Sequence, residues 1–216
     1  MANELDDFVA DDQYEPRVRE LAARGDVRRY RKGTILIHEG DTGDTLFIVL
    51  GGRVKVFCTN PNDKEITFGI FGAGEYFGEM ALDGGSRSAS VITQLPSVCS
   101  VVTRATLLAF IAQHPEFALQ VLSKVIRRLR LATRDARNLA FIDVYGRLTR
   151  CLQELATPHP DGGERITERI THQEMASRVG CSREMVSRIL KDLESGGYIQ
   201  VHDRRIVLMR RLPQRW

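Results

Sequence analysis

The 216-residue sequence predicts an α+β protein: an N-terminal antiparallel β-roll or jelly roll, a long central helix, and a C-terminal helix-turn-helix with a wing. Three patterns support this fold class, namely short apolar runs separated by glycines, a heptad repeat, and two capped helices before a hairpin. Hydrophobic residues make up 43% and charged residues 27% of the chain, which argues against a disordered or fibrous protein. No apolar run reaches the length of about 18 residues that a membrane helix needs, so we expect no membrane partner.

The N-terminal part of the chain reads as a series of short strands. Eleven of the eighteen glycines lie between Gly33 and Gly85, in turns between apolar runs. Many short strands at this spacing are typical of an antiparallel barrel or jelly roll. The absence of helical patterns between them disfavours a Rossmann fold. The predicted strands cover residues 34–38, 46–50, 54–58, 66–71 and 90–93.

The centre of the chain changes to a helical period. A short helix is predicted over residues 106–113, followed by a break at His114-Pro115. Beyond the break, small and apolar residues alternate at spacings of four and three, as in the a and d positions of a two-stranded coiled coil. The narrow apolar stripe favours a homodimer over a single helix packed on its own barrel. The predicted dimer contacts are Leu122, Val125, Leu129, Ala132 and Ala136.

The C-terminal part has the pattern of two capped helices and a hairpin. Thr171 and Glu174 have capping-box spacing at the start of the first helix, and Ser182 caps the second. Gly180 lies in the turn between them, which is a helix-turn-helix signature. From Asp143 onward there are thirteen Lys or Arg and ten Asp or Glu residues, an excess that accounts for the net charge of +3. A basic C-terminal part is compatible with nucleic-acid binding.

Three motifs resemble the CRP/FNR superfamily of bacterial transcription regulators, closest to the cyclic-AMP receptor type. Residues 171–188 resemble its winged helix-turn-helix, and residues 138–148 resemble the hinge between its dimerisation helix and its DNA-binding domain. The sequence Phe-Gly-Glu-Met-Ala-Leu at 77–82, with Arg-Ser-Ala at 87–89, is similar to the phosphate-binding cassette of cyclic-nucleotide-binding domains. The resemblance implies a cyclic-nucleotide-binding β-roll over 1–113, a dimerisation helix and hinge over 114–142, and a winged helix-turn-helix over 143–216.

The resemblance also implies a ligand site for cAMP. Glu79 would accept a hydrogen bond from the ribose 2′-hydroxyl, and Arg87 would pair with the cyclic phosphate. Ala132 and Thr133 stand where cAMP receptors have a Thr-Ser pair for the adenine amine, so only one hydroxyl remains. Cyclic di-GMP, or no ligand at all, is the alternative within this fold. The implied ligand-binding residues are Gly78, Glu79, Met80, Arg87, Ser88 and Thr133.

On the second helix of the helix-turn-helix, the resemblance assigns base reading to Arg183, Glu184 and Arg188, on a palindromic operator with TGTGA-like half-sites. Arginine can bind guanine O6 and N7, and glutamate can accept from cytosine N4. The different-class alternative is a nucleotide-binding adaptor that has lost DNA contact. The implied phosphate contacts are Gln173, Ser182, Lys191 and Arg204.

Further expectations concern partners and chemistry. The loop over residues 157–163 resembles the surface with which the family contacts RNA polymerase, although a plain linker turn is equally compatible. The four cysteines have no short spacing, and the five histidines do not cluster in sequence. We therefore expect no metal, no iron–sulfur cluster and no enzymatic activity. An acidic N-terminus without a basic and apolar leader predicts a cytoplasmic protein.

Overall fold

The structure is a computed structural model that describes residues 4–10, 14–61, 65–158, 165–167 and 169–213. The chain divides into two compact units, one of residues 1–58 and 67–128 and one of residues 59–66 and 129–216. The predicted fold class is confirmed: antiparallel sheets come first, then a long helix, then the helix-turn-helix.

The first unit contains two four-stranded sheets, with strand orders β1-β8-β3-β6 and β2-β7-β4-β5. The pairs β1–β8, β3–β8, β3–β6, β2–β7 and β4–β7 all run antiparallel. Its elements are α1 (Glu4–Ala10), α2 (Pro16–Ala22), β1 (Asp26–Tyr30), β2 (Ile35–Ile37), β3 (Thr45–Gly51), β4 (Val54–Thr59), β5 (Glu65–Phe71), β6 (Tyr76–Phe77), a 3₁₀ turn (Glu79–Asp83), β7 (Ser90–Thr93), β8 (Ser97–Thr103) and α3 (Arg104–Gln113).

Strand β3 lies at the centre of this unit and is buried on both faces. Leu46 and Ile48 point into a cluster with the helical residues Phe110 and Phe117. Phe47 points the other way, into a cluster to which both sheets contribute. Its ring stacks on the ring of Phe77, with the centroids 5.1 Å apart. Burial on both faces explains why β3 reads as an unbroken apolar run rather than as an alternating one.

The sequence prediction missed three strands and two helices of this unit. Strand β1 has mostly exposed residues and β6 has only two residues, so neither carries a recognisable apolar period. Strand β8 contains Ser97 and Ser100, which are both buried. The Ser100 hydroxyl donates to the Ala22 carbonyl at 2.7 Å, and this contact between distant parts of the chain makes a serine acceptable in the core.

Helix α4 (Pro115–Phe141) has 27 residues and begins at the break that was predicted at His114-Pro115. It carries the heptad seam. Phe117 is its buried residue, near the start. The seam leucines are exposed in the single chain: Leu122 is 53% and Leu129 is 64% accessible. An apolar seam of this exposure is what a coiled-coil partner would cover.

The second unit contains α5 (Val144–Leu155), β9 (Ala156–Pro158), β10 (Arg165–Thr167), α6 (His172–Val179), α7 (Arg183–Ser195), β11 (Ile199–His202) and β12 (Arg205–Leu208). The predicted wing hairpin forms from β11 and β12, and it belongs to a larger sheet. Ala156 pairs with Thr167 in a second hairpin, and the four strands form one sheet in the order β11-β12-β10-β9. Of the proposed RNA polymerase loop, residues 159–163 lie outside the described residues.

The core of the second unit forms where α5, α6 and α7 meet. Leu148, Leu152, Met175, Val186 and Leu193 are almost completely buried there. Across the described ranges, no helix is long and apolar enough to cross a bilayer.

Candidate ligand pocket and DNA-binding surface

Arg87 is the fixed cation of the predicted cassette. Its side chain is buried, and Nη1 donates to the carbonyls of Thr45 and Gly78 at 3.0 Å each. Nη2 donates to the Thr45 hydroxyl at 2.9 Å. Burial lowers the pKa of the guanidinium, whereas Asp44, Asp41 and Glu79 raise it. Because three acceptors hold the guanidinium in one orientation, it needs no further ordering to bind an anion.

Gly78 lies against this arginine in a conformation that favours glycine. Its φ is +89°, and a Cβ atom added there would lie 2.8 Å from the Thr45 carbonyl oxygen and 2.9 Å from Arg87 Nη1. A larger residue at position 78 would therefore displace Arg87. This close packing accounts for the glycine in the Phe-Gly-Glu motif.

Glu79, the second cassette residue of interest, is paired with an arginine that the sequence prediction missed. The Glu79 side chain is 5% exposed, and its Oε1 accepts from Arg128 Nη1 at 2.5 Å. Arg128 also donates to the Tyr76 carbonyl at 2.6 Å and lies over the Phe71 ring at 4.4 Å. The only sequence signal for Arg128 was its place in an arginine-rich stretch of α4, off the apolar seam.

One turn earlier on α4, Lys124 makes a second contact with strand β6. Its ammonium lies 3.8 Å from the centroid of the Tyr76 ring, a cation–π geometry. Burial raises the pKa of Tyr76 to about 12. Burial also lowers the pKa of Lys124, and the nearby Arg128 lowers it further. Two cations of α4 therefore bind the strand that leads into the cassette.

The remaining predicted ligand residues are exposed. The Ser88 hydroxyl lies 3.3 Å from the sulfur of Met80, whose side chain is 60% accessible. Thr133 belongs to the second unit, where its hydroxyl donates to the Leu129 carbonyl of its own helix at 2.9 Å. The first unit thus brings Gly78, Glu79 and Arg87 together at the cassette.

The helix-turn-helix forms with the caps that the sequence predicted. The Thr171 hydroxyl accepts from the Glu174 amide at 3.1 Å, and the Glu174 carboxylate accepts from the Thr171 amide at 2.7 Å. Gly180 ends α6 in the left-handed region with φ +69°, and the Ser182 hydroxyl accepts from the Met185 amide at 3.2 Å. These local bonds fix where both helices begin.

Helix α7 separates its core face from a charged outer face. Val186, Ile189, Leu190 and Leu193 are buried. A hydrogen bond from its own backbone amide, followed by one from the Ser182 hydroxyl, lowers the pKa of Glu184. Glu184 is therefore an ionised acceptor at neutral pH. The predicted base-reading and phosphate-contacting residues Gln173, Ser182, Arg183, Glu184, Arg188, Lys191 and Arg204 are all exposed.

Two contacts stiffen this surface. His172, the first residue of α6, lies with Nδ1 2.7 Å from the Ser187 hydroxyl on α7. In the wing, Asp203 and Arg204 form a two-residue turn with φ +49° and +61°, the type I′ geometry of tight hairpins. The Ile170 amide donates to the Arg204 carbonyl at 2.9 Å, which ties the turn to the segment before α6. Among the residues with a described placement, no group of His, Cys, Asp or Glu could hold a metal ion.

The chain matches two known protein families, one in its N-terminal and one in its C-terminal part. Residues 27–114 match the cyclic nucleotide-binding domain, and residues 146–212 match the Crp-like helix-turn-helix domain. The chain is 34% identical over 223 residues to the cAMP-activated global transcriptional regulator CRP of Haemophilus influenzae, covering 96% of this chain and 98% of that protein. It is also 34% identical over 199 residues to the cAMP-activated regulator Vfr of Pseudomonas aeruginosa, covering 88% and 92%.

A solved structure of a similar regulator has the same fold. The c-di-GMP-responsive global regulator CLP of Xanthomonas campestris superposes with a TM-score of 0.79 at 30% identity, covering 90% of this chain and 98% of that one. A cyclic-nucleotide-binding domain joined to a Crp-like helix-turn-helix defines a DNA-binding transcription regulator. The chain belongs to the CRP/FNR family.

Proposed function

We propose that this regulator is a homodimer activated by cAMP. The observation that carries the proposal is the buried Arg87, held by Thr45 and Gly78 at a cassette where it can pair with a cyclic phosphate. The cAMP-activated relatives at 34% identity support the choice of nucleotide. Glu79 would accept from the ribose hydroxyl, and Ser88 would add a neutral donor to the phosphate.

Activation would be a population shift between two arrangements of the dimer. The ligand would bridge Arg87 of one protomer and Thr133 of the other, and this bridge would reset the α4 pair. The exposed seam leucines Leu122 and Leu129 favour such a pair. The functional parts in this proposal are 1–113 for ligand binding, 114–142 for dimerisation and the hinge, and 143–216 for DNA binding.

On DNA, the N-terminal end of α7 would enter the major groove and read base edges with Arg183, Glu184 and Arg188. The two-fold axis requires two half-sites one helical turn apart, about 34 Å. Gln173, Ser182, Lys191 and Arg204 would bind phosphates and fix the register of the helix. RNA polymerase would contact the loop that starts at Thr157, and in that case Thr157 and His159 substitutions would lower activated transcription while operator binding stays intact.

Cyclic di-GMP is the second candidate effector, because the structural neighbour of Xanthomonas campestris responds to it and shares 30% identity with this chain. Calorimetry with cAMP, cGMP and cyclic di-GMP separates the two proposals. We expect cAMP to bind, and we expect Arg87→Ala to abolish binding while the exposed Arg53→Ala control binds normally. If cyclic di-GMP binds and cAMP does not, cyclic di-GMP becomes the proposed effector.

Operator binding is tested with Arg183→Ala, measured by fluorescence anisotropy on a TGTGA-containing palindrome and on random DNA. The loss of guanine contacts should weaken specific binding by about 1–3 kcal/mol per lost bidentate contact and relax the preference at one base pair of each half-site. Arg178→Ala, which removes an exposed arginine at the far end of α6, is the matched control. An equal loss on both DNAs would make Arg183 a phosphate contact, and a wild-type chain without DNA binding would favour the adaptor alternative.

A further inference from the structure

The wing carries an ion pair that none of the assignments above uses. The guanidinium of Arg169 pairs with the carboxylate of Asp203, the first residue of the wing turn. Both side chains are largely exposed, at 63% and 61%. An exposed arginine of the proposed DNA-binding domain is therefore matched by a carboxylate of the same domain.

This ion pair is not needed to hold the wing in place. The turn is already tied down by the bond from the Ile170 amide to the Arg204 carbonyl, and Ile170 itself is 7% exposed. The Ile206 amide donates to the buried Thr167 hydroxyl at 3.0 Å. The backbones of His202 and Arg205 face each other in the β11–β12 ladder at the two ends of the turn. Because exposed ion pairs contribute little to stability, the pair can open at small cost.

The pair borders a surface that suits a DNA phosphate. An open cavity of about 350 Å³ is lined by Arg169, Thr171 and Arg204, together with Ile170 and the two carboxylates Glu174 and Asp203. Glu174 is engaged by the amide and hydroxyl of Thr171. Asp203 is thus the carboxylate that faces Arg169, and Arg204 is a phosphate contact in the proposed function.

We propose that Arg169 is a DNA-backbone contact that the free protein keeps neutralised with Asp203, so that Asp203 sets the affinity of the wing for DNA. The inference rests on the proposed DNA-binding function. A phosphate can take the place of the carboxylate because both accept two N–H bonds from a guanidinium. The displaced Asp203 then lies beside the polyanion and lowers the net charge that the wing brings to DNA.

The test compares Asp203→Asn with wild type in operator-binding titrations from low to high salt. Asparagine tolerates the left-handed conformation of this turn, so the variant should keep the wing fold. Without the carboxylate, Arg169 has no competitor for the phosphate and each wing carries one more positive charge, so we expect a dimer to bind roughly tenfold tighter at low salt and to lose affinity more steeply as salt rises. Asp135→Asn, which removes the same charge from the exposed surface of α4, is the control and should change affinity much less.

A double variant decides whether Arg169 is the residue released. In the Asp203→Asn background, Arg169→Gln should remove the whole gain in affinity. Unchanged or weaker binding of Asp203→Asn would overturn the inference and make Asp203 a residue that only shapes the turn. A gain that persists in the double variant would equally exclude Arg169. If these variants are silent while Arg183→Ala still loses specific binding, this inference fails and the proposed function stands; a wild-type chain that binds no DNA overturns both.

Discussion

The Glu79 carboxylate and the Arg128 guanidinium, 49 residues apart in sequence, lie 2.5 Å apart and join the cassette to helix α4. The glutamate is the more buried partner, at 5% side-chain exposure against 26% for the arginine. In the proposed complex a ribose hydroxyl would approach the same carboxylate. In that complex, a change at the ligand would act directly on Arg128 of α4, without an intervening side chain.

Arg128→Met should destabilise the first unit because it leaves the buried Glu79 carboxyl without its cation. Removing one partner of a buried ion pair costs about 3–5 kcal/mol, which shifts the midpoint of urea unfolding clearly to lower concentration. The exposed neighbour Arg127→Met is the matched control and should unfold like wild type. The double variant Glu79→Gln with Arg128→Met should recover part of the loss, and equal stability of Arg128→Met and wild type would contradict this reading of the pair.

Leu129→Glu should prevent dimerisation. Leu129 occupies a seam position of α4 and is 64% accessible in the single chain, so the substitution would place two like charges against each other in a coiled coil. Analytical ultracentrifugation at micromolar concentration should report a dimer for wild type and a monomer for the variant. Leu131→Glu, at an exposed position off the seam, should remain dimeric. A wild-type monomer would disprove the proposed assembly.

Ala132→Thr should increase the preference for cAMP over cGMP. The residue stands where cAMP receptors have a hydroxyl for the adenine amine, and a neutral hydrogen bond contributes about 0.5–1.5 kcal/mol. The corresponding gain in selectivity is at most about tenfold. Calorimetry with both nucleotides measures it, and the Ala132→Val variant controls for the added side-chain volume. Equal selectivity of all three chains would show that this position does not face the base.

Two cysteine thiols should react slowly in the folded protein. Burial raises the pKa of Cys151 to about 11 and that of Cys99 to about 12. At pH 8 their thiolate fractions are then about 10⁻³ and 10⁻⁴, and only the thiolate reacts. Mass spectrometry after alkylation should find both unmodified in buffer and both modified in urea.

The raised pKa values of these two thiols also predict how the stability of the fold changes with pH. A thiol with a folded-state pKa above the unfolded value of about 8.5 stabilises the fold below pH 8.5, and this stabilisation is lost as pH rises towards 11–12. The free energy of unfolding of wild type should therefore fall more between about pH 8.5 and 11 than that of Cys151→Ser, which lacks this thiol. An equal fall in both proteins would contradict the raised pKa of Cys151.

The sequence allowed prediction of the elements whose cause is local. The caps at Thr171 and Ser182 and the break at His114-Pro115 need only residues three or four positions away, and the structure has them where they were predicted. The cassette and the helix-turn-helix followed from motif resemblance. The roles of individual residues in both sites stay predictions.

What the sequence did not reveal depends on distant contacts. The arginine-rich stretch of α4 did not single out Arg128, because its partner Glu79 is 49 residues away, and the ion pair of Arg169 with Asp203 joins segments 34 residues apart. Strand β9 was hidden for the same reason, since Ala156 continues a helical pattern and only pairing with β10 makes it a strand. Tertiary contacts override local propensity at such positions.

The placement of Thr45 has a genetic consequence. This residue, whose carbonyl and hydroxyl orient Arg87, is the first residue of the strand whose next five residues form the centre of the N-terminal unit. If Arg87 binds the effector as proposed, effector recognition and the folding of that unit share one stretch of chain. A screen for variants that no longer respond to the effector should return two groups. One group changes residues that bind the ligand, and the other replaces buried core residues such as Phe47 or Ile48 and destabilises the unit. Only a stability measurement on each purified protein would separate the two groups.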